Sequence, residues 1–267
     1  MILAGGPPSG PRSSMRIAVD AMGGDFAPQA IVEGALMALR SCPDIERLFL
    51  VGDEAAVRAE VARGVGDPGR LEIRHASEVV GMGEPAAAGV RRKRDSSINR
   101  AMDLVKAGEA DAVCAAGNTG AAVAAAMLKL RTLENVRRPG IAIAMPTPTD
   151  KPVVLIDAGA TPDCSPEILM QFAIMGAAYS RKVLGQPDPK VGLMSVGSEE
   201  AKGNALSKEA YELLEQAPVR FKGNVEGHDL FEGDVDVVVC DGFTGNVILK
   251  TSESVAHAIG TWLKHEL

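Results

Sequence analysis

Between Glu109 and Arg131 the chain reads EADAVCAAGNTGAAVAAAMLKLR, and the chemistry offered there belongs to the backbone more than to side chains. Gly117-Asn118-Thr119-Gly120 breaks a short apolar run, Asp111 to Ala116, and precedes a helix-forming run, Ala121 to Leu130, that contains no Pro or Gly. A strand entering a helix through small residues leaves several N–H groups without partners at the positive end of a helix dipole. An anion can approach such a turn closely, so the pattern suits a phosphate without a Walker lysine.

The pattern recurs. Gly accompanied by Asp, Asn, Thr or Ser follows an apolar run at 20–25 (Asp20, Gly23, Gly24, Asp25), at 117–120, at 157–161 (Asp157, Gly159), at 197–204 (Lys202, Asn204) and at 241–246 (Asp241, Gly242, Thr244, Gly245, Asn246). So many polar exits exceed what turn formation requires and point to a binding cleft. Arg91-Arg92-Lys93-Arg94 is a basic run in a chain of net charge −7, just before Ser96 and Ser97 at a helix start. It reads either as a solvated loop or as a local patch for phosphate or an acidic partner protein. Arg137-Arg138 is a second basic pair.

Absences narrow the chemistry. GxGxxG does not follow the first strand, and neither GxxxxGK[ST] nor GxSxG occurs. The histidines, His75, His228, His257 and His265, have no metal-ligand spacing and fall mostly on surface positions. What remains is a site of backbone dipoles, small polar groups and a few cations, calling for no cofactor and no metal. Such a site suits anionic reactants that need positioning and oxyanion stabilisation.

Strands are expected at 16–19, 47–51, 71–74, 111–116, 141–145, 153–156, 190–196 and 235–240. Helices are expected at 28–39, 53–62, 96–107, 121–130, 166–184 and 207–216, with a last one opening after Asn246. The segment 76–95 reads as irregular, and 141–156 as a hairpin. Alternating β and α with near-continuous apolar strands implies an α/β fold: a doubly wound, mostly parallel sheet with helices on both faces, a Rossmann-like three-layer sandwich. Ligands of such sheets collect beyond the carboxyl ends of the strands. Residues 1–14, rich in Gly, Pro and Ser, read as a disordered extension, and 15–267 as one domain. Aromatic residues make up 3% of the chain, and with its acidic balance this argues against nucleic acid as a partner. No run of about eighteen apolar residues is present. The four cysteines lack CxxC pairing, the runs around Cys114 and Cys240 suggest buried thiols, and a reducing cytoplasm fits both.

The segments MRIAVDAMGGDFAP, RRKRDSSINRAMDLVKAGEADAVCAAGNTGA, RRPGIAIAMPT, LIDAGATPDCSPEILMQFAIMGAAY, VGLMSVGSEEAKGN, FKGNVEG and DVVVCDGFTGNVILKTSE together resemble the phosphate acyltransferase family of bacterial phospholipid synthesis. The resemblance runs in order from Met15 to about Lys264. It implies an architecture of the isocitrate dehydrogenase and phosphotransacetylase type. It also implies conversion of long-chain acyl carrier protein and inorganic phosphate into acyl phosphate. A soluble homodimer, cytoplasmic or peripheral at the membrane, would supply a membrane glycerol-3-phosphate acyltransferase. The chain has Thr161 where the family usually has Asn, and His228 where Arg is common. The family continues past the position of Leu267, so the resemblance implies that the chain lacks a C-terminal segment.

On this reading phosphate attacks the thioester directly. Gly117, Asn118, Thr119 and Gly120 cradle phosphate, and Lys202 and Asn204 serve the oxyanion or leaving sulfur. Asp241, Thr244 and Asn246 complete a wall, while Asp20 and Asp25 order the Gly-rich loop. Lys202, Asn204 and Asn118 are the candidate catalytic residues. The other exit residues, with Arg91, Arg92, Ser96 and Ser97, are candidate substrate contacts. Three alternatives stay open: a CoA-dependent phosphotransacylase, a related-fold NAD- and metal-dependent dehydrogenase, and a non-catalytic carrier-protein-binding module.

Overall fold

The computed structural model describes residues 2–3, 14–64, 68–149 and 151–266. Where the sequence suggests one domain, the chain divides into two compact units, 1–133 and 134–267, each with its own five-stranded sheet. Of the expected disordered extension, 1–14, most lies outside the described residues; Ile2–Leu3 (β1) pairs antiparallel with β5 (Ala112–Cys114).

In the first unit β2 (Met15–Asp20), β3 (Ile45–Gly52), β4 (Leu71–His75) and β5 (Ala112–Cys114) are parallel, in the order β1-β5-β2-β3-β4. The chain moves outward from β2 to β4 and then returns to the other side of β2. The order therefore reverses between β2 and β5, where doubly wound sheets bind ligands. Alternation along the strands sends side chains to two cores. Val19, Leu48 and Leu50 pack with Val32, Leu36 and Leu39 of α1 (Gln29–Ser41) and Val57 of α2 (Glu54–Arg63). Ala18, Phe49, Val51 and Val113 pack with Ile98 and Met102 of α4 (Ser97–Lys106) and Ala121 and Ala125 of α5 (Thr119–Lys129). The 76–95 segment, expected to be irregular, contains a short helix, α3 (Ala86–Arg92). Its Gly and paired arginines hide a helix that is held by packing: Val90 is buried in the same core.

In the second unit β6 (Ala142–Met145) and β7 (Val153–Ile156) form the expected antiparallel hairpin. β8 (Lys190–Met194), β9 (Arg220–Val225) and β10 (Val237–Val239) are parallel to β7, in the order β6-β7-β10-β8-β9. One face packs on α6 (Pro166–Val183) and α7 (Ala205–Glu215) through Phe172, Ala173, Ala210 and Leu214. The other is covered by Leu230 of α8 (Asp229–Glu232) and Ile248 of α9 (Gly242–Glu266). β9 escapes a reading by hydrophobic runs because RFKGNV is polar; only its last three residues are buried. Along α9 only Gly242 and Gly245 are buried, and Val247, Val255, Ile259, Trp262 and Leu263 are exposed. Among the described residues no helix is long and apolar enough to cross a membrane. Cys240 is buried as expected, but Cys114, at the very end of β5, is exposed.

Candidate functional site

In the first unit the loops after β2 and β5 meet backbone to backbone. A Cβ on Gly23 would stand 2.9 Å from the Gly117 nitrogen and 3.0 Å from its Cα, and one on Gly117 would stand 3.0 Å from Gly23 Cα. Gly24 has φ +106° and packs on the Ala116 carbonyl, a conformation a side chain would strain. Beneath them Asp20 is 6% exposed and accepts a hydrogen bond from the Met22 N–H (3.1 Å). Burial raises its pKa; the Ser97 hydroxyl beside it opposes that shift without completing a hydrogen bond, as do the Met22 and Gly23 N–H groups. Asp25 is exposed at the loop's edge.

Asn118 caps α5, its Oδ1 accepting from Ala121 N–H (3.0 Å). Its Nδ2 faces the carbonyls of Gly81 (3.3 Å), Met82 (3.2 Å) and Glu84 (3.2 Å). Both ends of the amide are therefore engaged, and Asn118 is the joint between α5 and the 81–84 loop. Thr119 and Gly120 open the helix, exposed, with N–H groups that no intrahelical carbonyl can reach. Ser96 and Ser97 are 0% and 1% exposed and lie behind this surface, the Ser96 hydroxyl accepting from Asn99 Nδ2 (3.0 Å). The basic run is divided: Arg92 pairs with Glu84 (3.1 Å) and Lys93 with Glu84 and the Val79 carbonyl, whereas Arg91 and Arg94 are exposed. Lys93, more than any other neighbour, holds the Glu84 carboxyl below its usual range.

The second unit uses similar residues differently. Asp157 is fully buried, and its carboxylate accepts four backbone N–H groups: Ile141 (2.8 Å), Gly159 (3.0 Å) and Ala160 (2.9 Å) on Oδ1, and Thr161 (2.6 Å) on Oδ2. The concavity that could take an anion here is filled by the protein's own carboxylate. Helix α9 is seated on it through glycine. A Cβ on Gly242 would approach Asp157 Oδ2 to 2.7 Å, and one on Gly245 would overlap the Asp157 carbonyl oxygen. Asp241 caps α9, accepting from Thr244 N–H (2.9 Å) and the Thr244 hydroxyl (2.7 Å). Asn246 is exposed and lies over Gly159, whose φ is +134°.

On the neighbouring exit Asn204 caps α7, its Oδ1 accepting from Ser207 N–H (2.9 Å). Lys202 is exposed, its stem lying over Gly197, where a Cβ would come within 2.9 Å of Lys202 Cγ. Cys164 is half-buried, and burial above all pushes its thiol up to about 11. His228, Asp229 and Glu232 bring one ligand atom each within 4.8 Å of one another, but Asp229 already accepts from Lys222 (3.3 Å) and the Glu226 N–H (2.8 Å).

Asn118, Asn204 and Asp241, three residues singled out in the sequence, thus turn out to be helix caps, and Asp157 a clasp. Lys202, Asn246, Thr119 and Arg91 present free side chains. Two organising residues are missed by sequence reasoning. Glu84 carries no motif signal, and Asn224 lies inside the FKGNVEG segment on a strand that polarity concealed.

The chain matches the family model described as fatty acid synthesis protein over residues 15–267. It is 51% identical over 253 residues to a protein from Citrifermentans bemidjiense named phosphate acyltransferase, covering 95% of this chain and 71% of that one. A protein of the same name from Nitratiruptor sp. is 47% identical over 250 residues, covering 94% and 74%. The chain belongs to the phosphate acyltransferase family of fatty acid synthesis proteins. It is accordingly an enzyme, an acyltransferase. Its fold is similar to that of a phosphotransacetylase from Streptococcus pyogenes, with a TM-score of 0.66 at 18% identity, over 91% of this chain and 82% of that one.

Proposed function

We propose that the enzyme makes acyl phosphate from a long-chain acyl carrier protein thioester and inorganic phosphate, for phosphatidic acid and phospholipid synthesis. A phosphate oxygen attacks the thioester carbonyl carbon, and the C–S bond breaks. The carrier thiolate leaves and takes up the proton that phosphate loses. A thiol ionises near 8.5, so the leaving group needs little help, and phosphate is nucleophilic at neutral pH. The reaction requires position and an oxyanion partner more than a strong base.

The observation that carries this reading is the glycine-to-glycine contact of Gly23 with Gly117 at the β2/β5 reversal, beside the free N–H groups of Thr119 and Gly120. It is a cradle without side chains, in which phosphate meets backbone donors at a helix N-terminus. Asn118 and Asn204 act in this reading by orienting α5 and α7. In the second unit, taken by itself, exposed Lys202 and Asn246 offer a cation and an amide of the kind an oxyanion requires. A Cys164 thiol held up to about 11 supports direct attack over an acyl-cysteine. Arg91 and Arg94, exposed in a chain of net charge −7, support docking of an acidic carrier. Homodimer formation and peripheral membrane association belong to the same reading, supported by the exposed apolar side chains of α9.

The test is palmitoyl-acyl carrier protein with and without phosphate, following free thiol and trapping acyl phosphate with hydroxylamine. Phosphate-dependent release of both products is the expected result. A burst of thiol before phosphate is added would overturn direct attack. Turnover of palmitoyl-CoA alone would move the carrier assignment to CoA.

A further inference from the structure

Asn224 is 5% exposed, on a strand whose polar sequence gives no reason for a buried amide. Its Nδ2 donates to the Glu199 carbonyl at 2.9 Å. The same carbonyl accepts the Lys202 backbone N–H at 3.0 Å. One oxygen thus ties β9 to the turn that carries Lys202. The amide orientation is set by that carbonyl, which can only accept, and it leaves the buried Asn224 Oδ1 without a hydrogen-bond partner. A buried acceptor left unpaired is costly, and an apolar residue of similar size would avoid that cost. From below, buried Gly197 leaves room for the Lys202 stem and for Glu199, whose Oε2 would lie 3.0 Å from a Cβ there.

We propose that Asn224 is a positioning residue for Lys202. It fixes the Glu199 carbonyl, and through it the Lys202 backbone, while Gly197 fixes the path of the Lys202 side chain. The proposal rests on the reading that Lys202 serves the oxyanion. Its Nζ must then be held to within a fraction of an ångström, because misplacement by about 1 Å can cost on the order of 100-fold in rate. Gly197 and Lys202 on one loop and Asn224 on β9 form one support.

The experiment compares Asn224→Asp, Lys202→Ala and the double variant in the full chain. Asp is isosteric but places an oxygen against the Glu199 carbonyl. The Asn224→Asp variant is expected to lose about 10- to 100-fold in kcat with KM for the acyl carrier within about twofold. In the Lys202→Ala background it is expected to cost nothing further, because both act through one group. Full additivity, or an unaltered kcat in Asn224→Asp, overturns the proposal. Amide hydrogen exchange supplies a readout independent of turnover. Residues 199–204 should lose protection in Asn224→Asp while β8 and α7 keep theirs; unchanged protection of 199–204 overturns the positioning role whatever the rates. Full activity of Lys202→Ala, with the exchange result as expected, rejects the oxyanion role of Lys202 and leaves the support intact. If Asn224→Asp does not fold, Gly197→Ala tests the other half of the support: the same kcat loss is expected, absent in the Lys202→Ala background, and wild-type kcat overturns the proposal.

Discussion

In the first unit the loops after β2 and β5 lie glycine against glycine, over a buried Asp20 that accepts one N–H bond within hydrogen-bond geometry. In the second, the loop after β7 is gathered around Asp157, which accepts four. Both exits show Asp and Gly after an apolar strand, so the sequence presents them as equivalents. Their capacities are opposite. Where a carboxylate already occupies the ring of donors, an external anion has nothing to bind. Where the carboxylate lies beneath the turn, disfavoured in its charged form by burial, the helix N-terminus above stays available. The free groups of the second unit are side chains, Lys202 and Asn246, which suit an oxyanion better than a whole phosphate.

The comparison is broken most severely at Gly245. Alanine in a helix ordinarily stabilises relative to glycine by about 1 kcal/mol. Here its methyl would overlap the Asp157 carbonyl, so Gly245→Ala is expected to cost more than about 4 kcal/mol or to prevent folding of the second unit, as read by urea denaturation. Asp157→Asn comes next. An amide cannot accept on both sides, at least one buried N–H is stranded, and a loss of about 3 kcal/mol is expected in the same measurement.

Asp20→Asn should behave in the opposite way. The folded-state pKa of Asp20 is raised by burial, so its contribution to stability is present below the unfolded carboxylate value of 3.8 and is lost as pH rises through the folded value. Asp20→Asn should therefore match or exceed the wild type at pH 7, by on the order of 1 kcal/mol, and the gap should close below about pH 4. A loss at pH 7 as large as that of Asp157→Asn would erase the distinction between the two exits. The smallest effect is expected at Cys164. With its thiol at about 11, Cys164→Ser should change kcat by less than about twofold, and iodoacetamide at pH 7.5 should leave Cys164 unmodified while it labels the exposed Cys114.

Much of the architecture is legible without coordinates. The apolar runs locate all but two of the strands of the two sheets, since buried parallel strands must be apolar on both faces. The two exceptions are the two-residue β1 and the polar β9. The 141–156 hairpin is readable because the Pro- and Thr-rich turn leaves the chain little choice. The division into two units is not legible, because both halves carry the same alternation and no linker composition separates them at Leu133 and Glu134.

The site divides along the same line. Residue types and spacing by themselves determine the backbone-donor character of the exits, the presence of a helix after each of the exits at 117–120, 197–204 and 241–246, and the family to which the chain belongs, since all are local along the chain. The capping by Asn118, Asn204 and Asp241 starts those helices two to five residues earlier than the sequence suggests. Tertiary structure alone decides that Asp157 fills its own donor ring and that Asn118 reaches the carbonyls of 81–84. It likewise buries Ser96 and Ser97, turns Arg92 and Lys93 to Glu84 while leaving Arg91 and Arg94 free, and brings Asn224 beside Glu199. Some of these contacts are short-range, as on Asp157 and Glu84, and others span tens of residues, yet none is announced by a residue type alone. A hydrogen-bonding side chain has the same composition whether it is spent on its own backbone or left for a substrate, and only the position of its partner tells which.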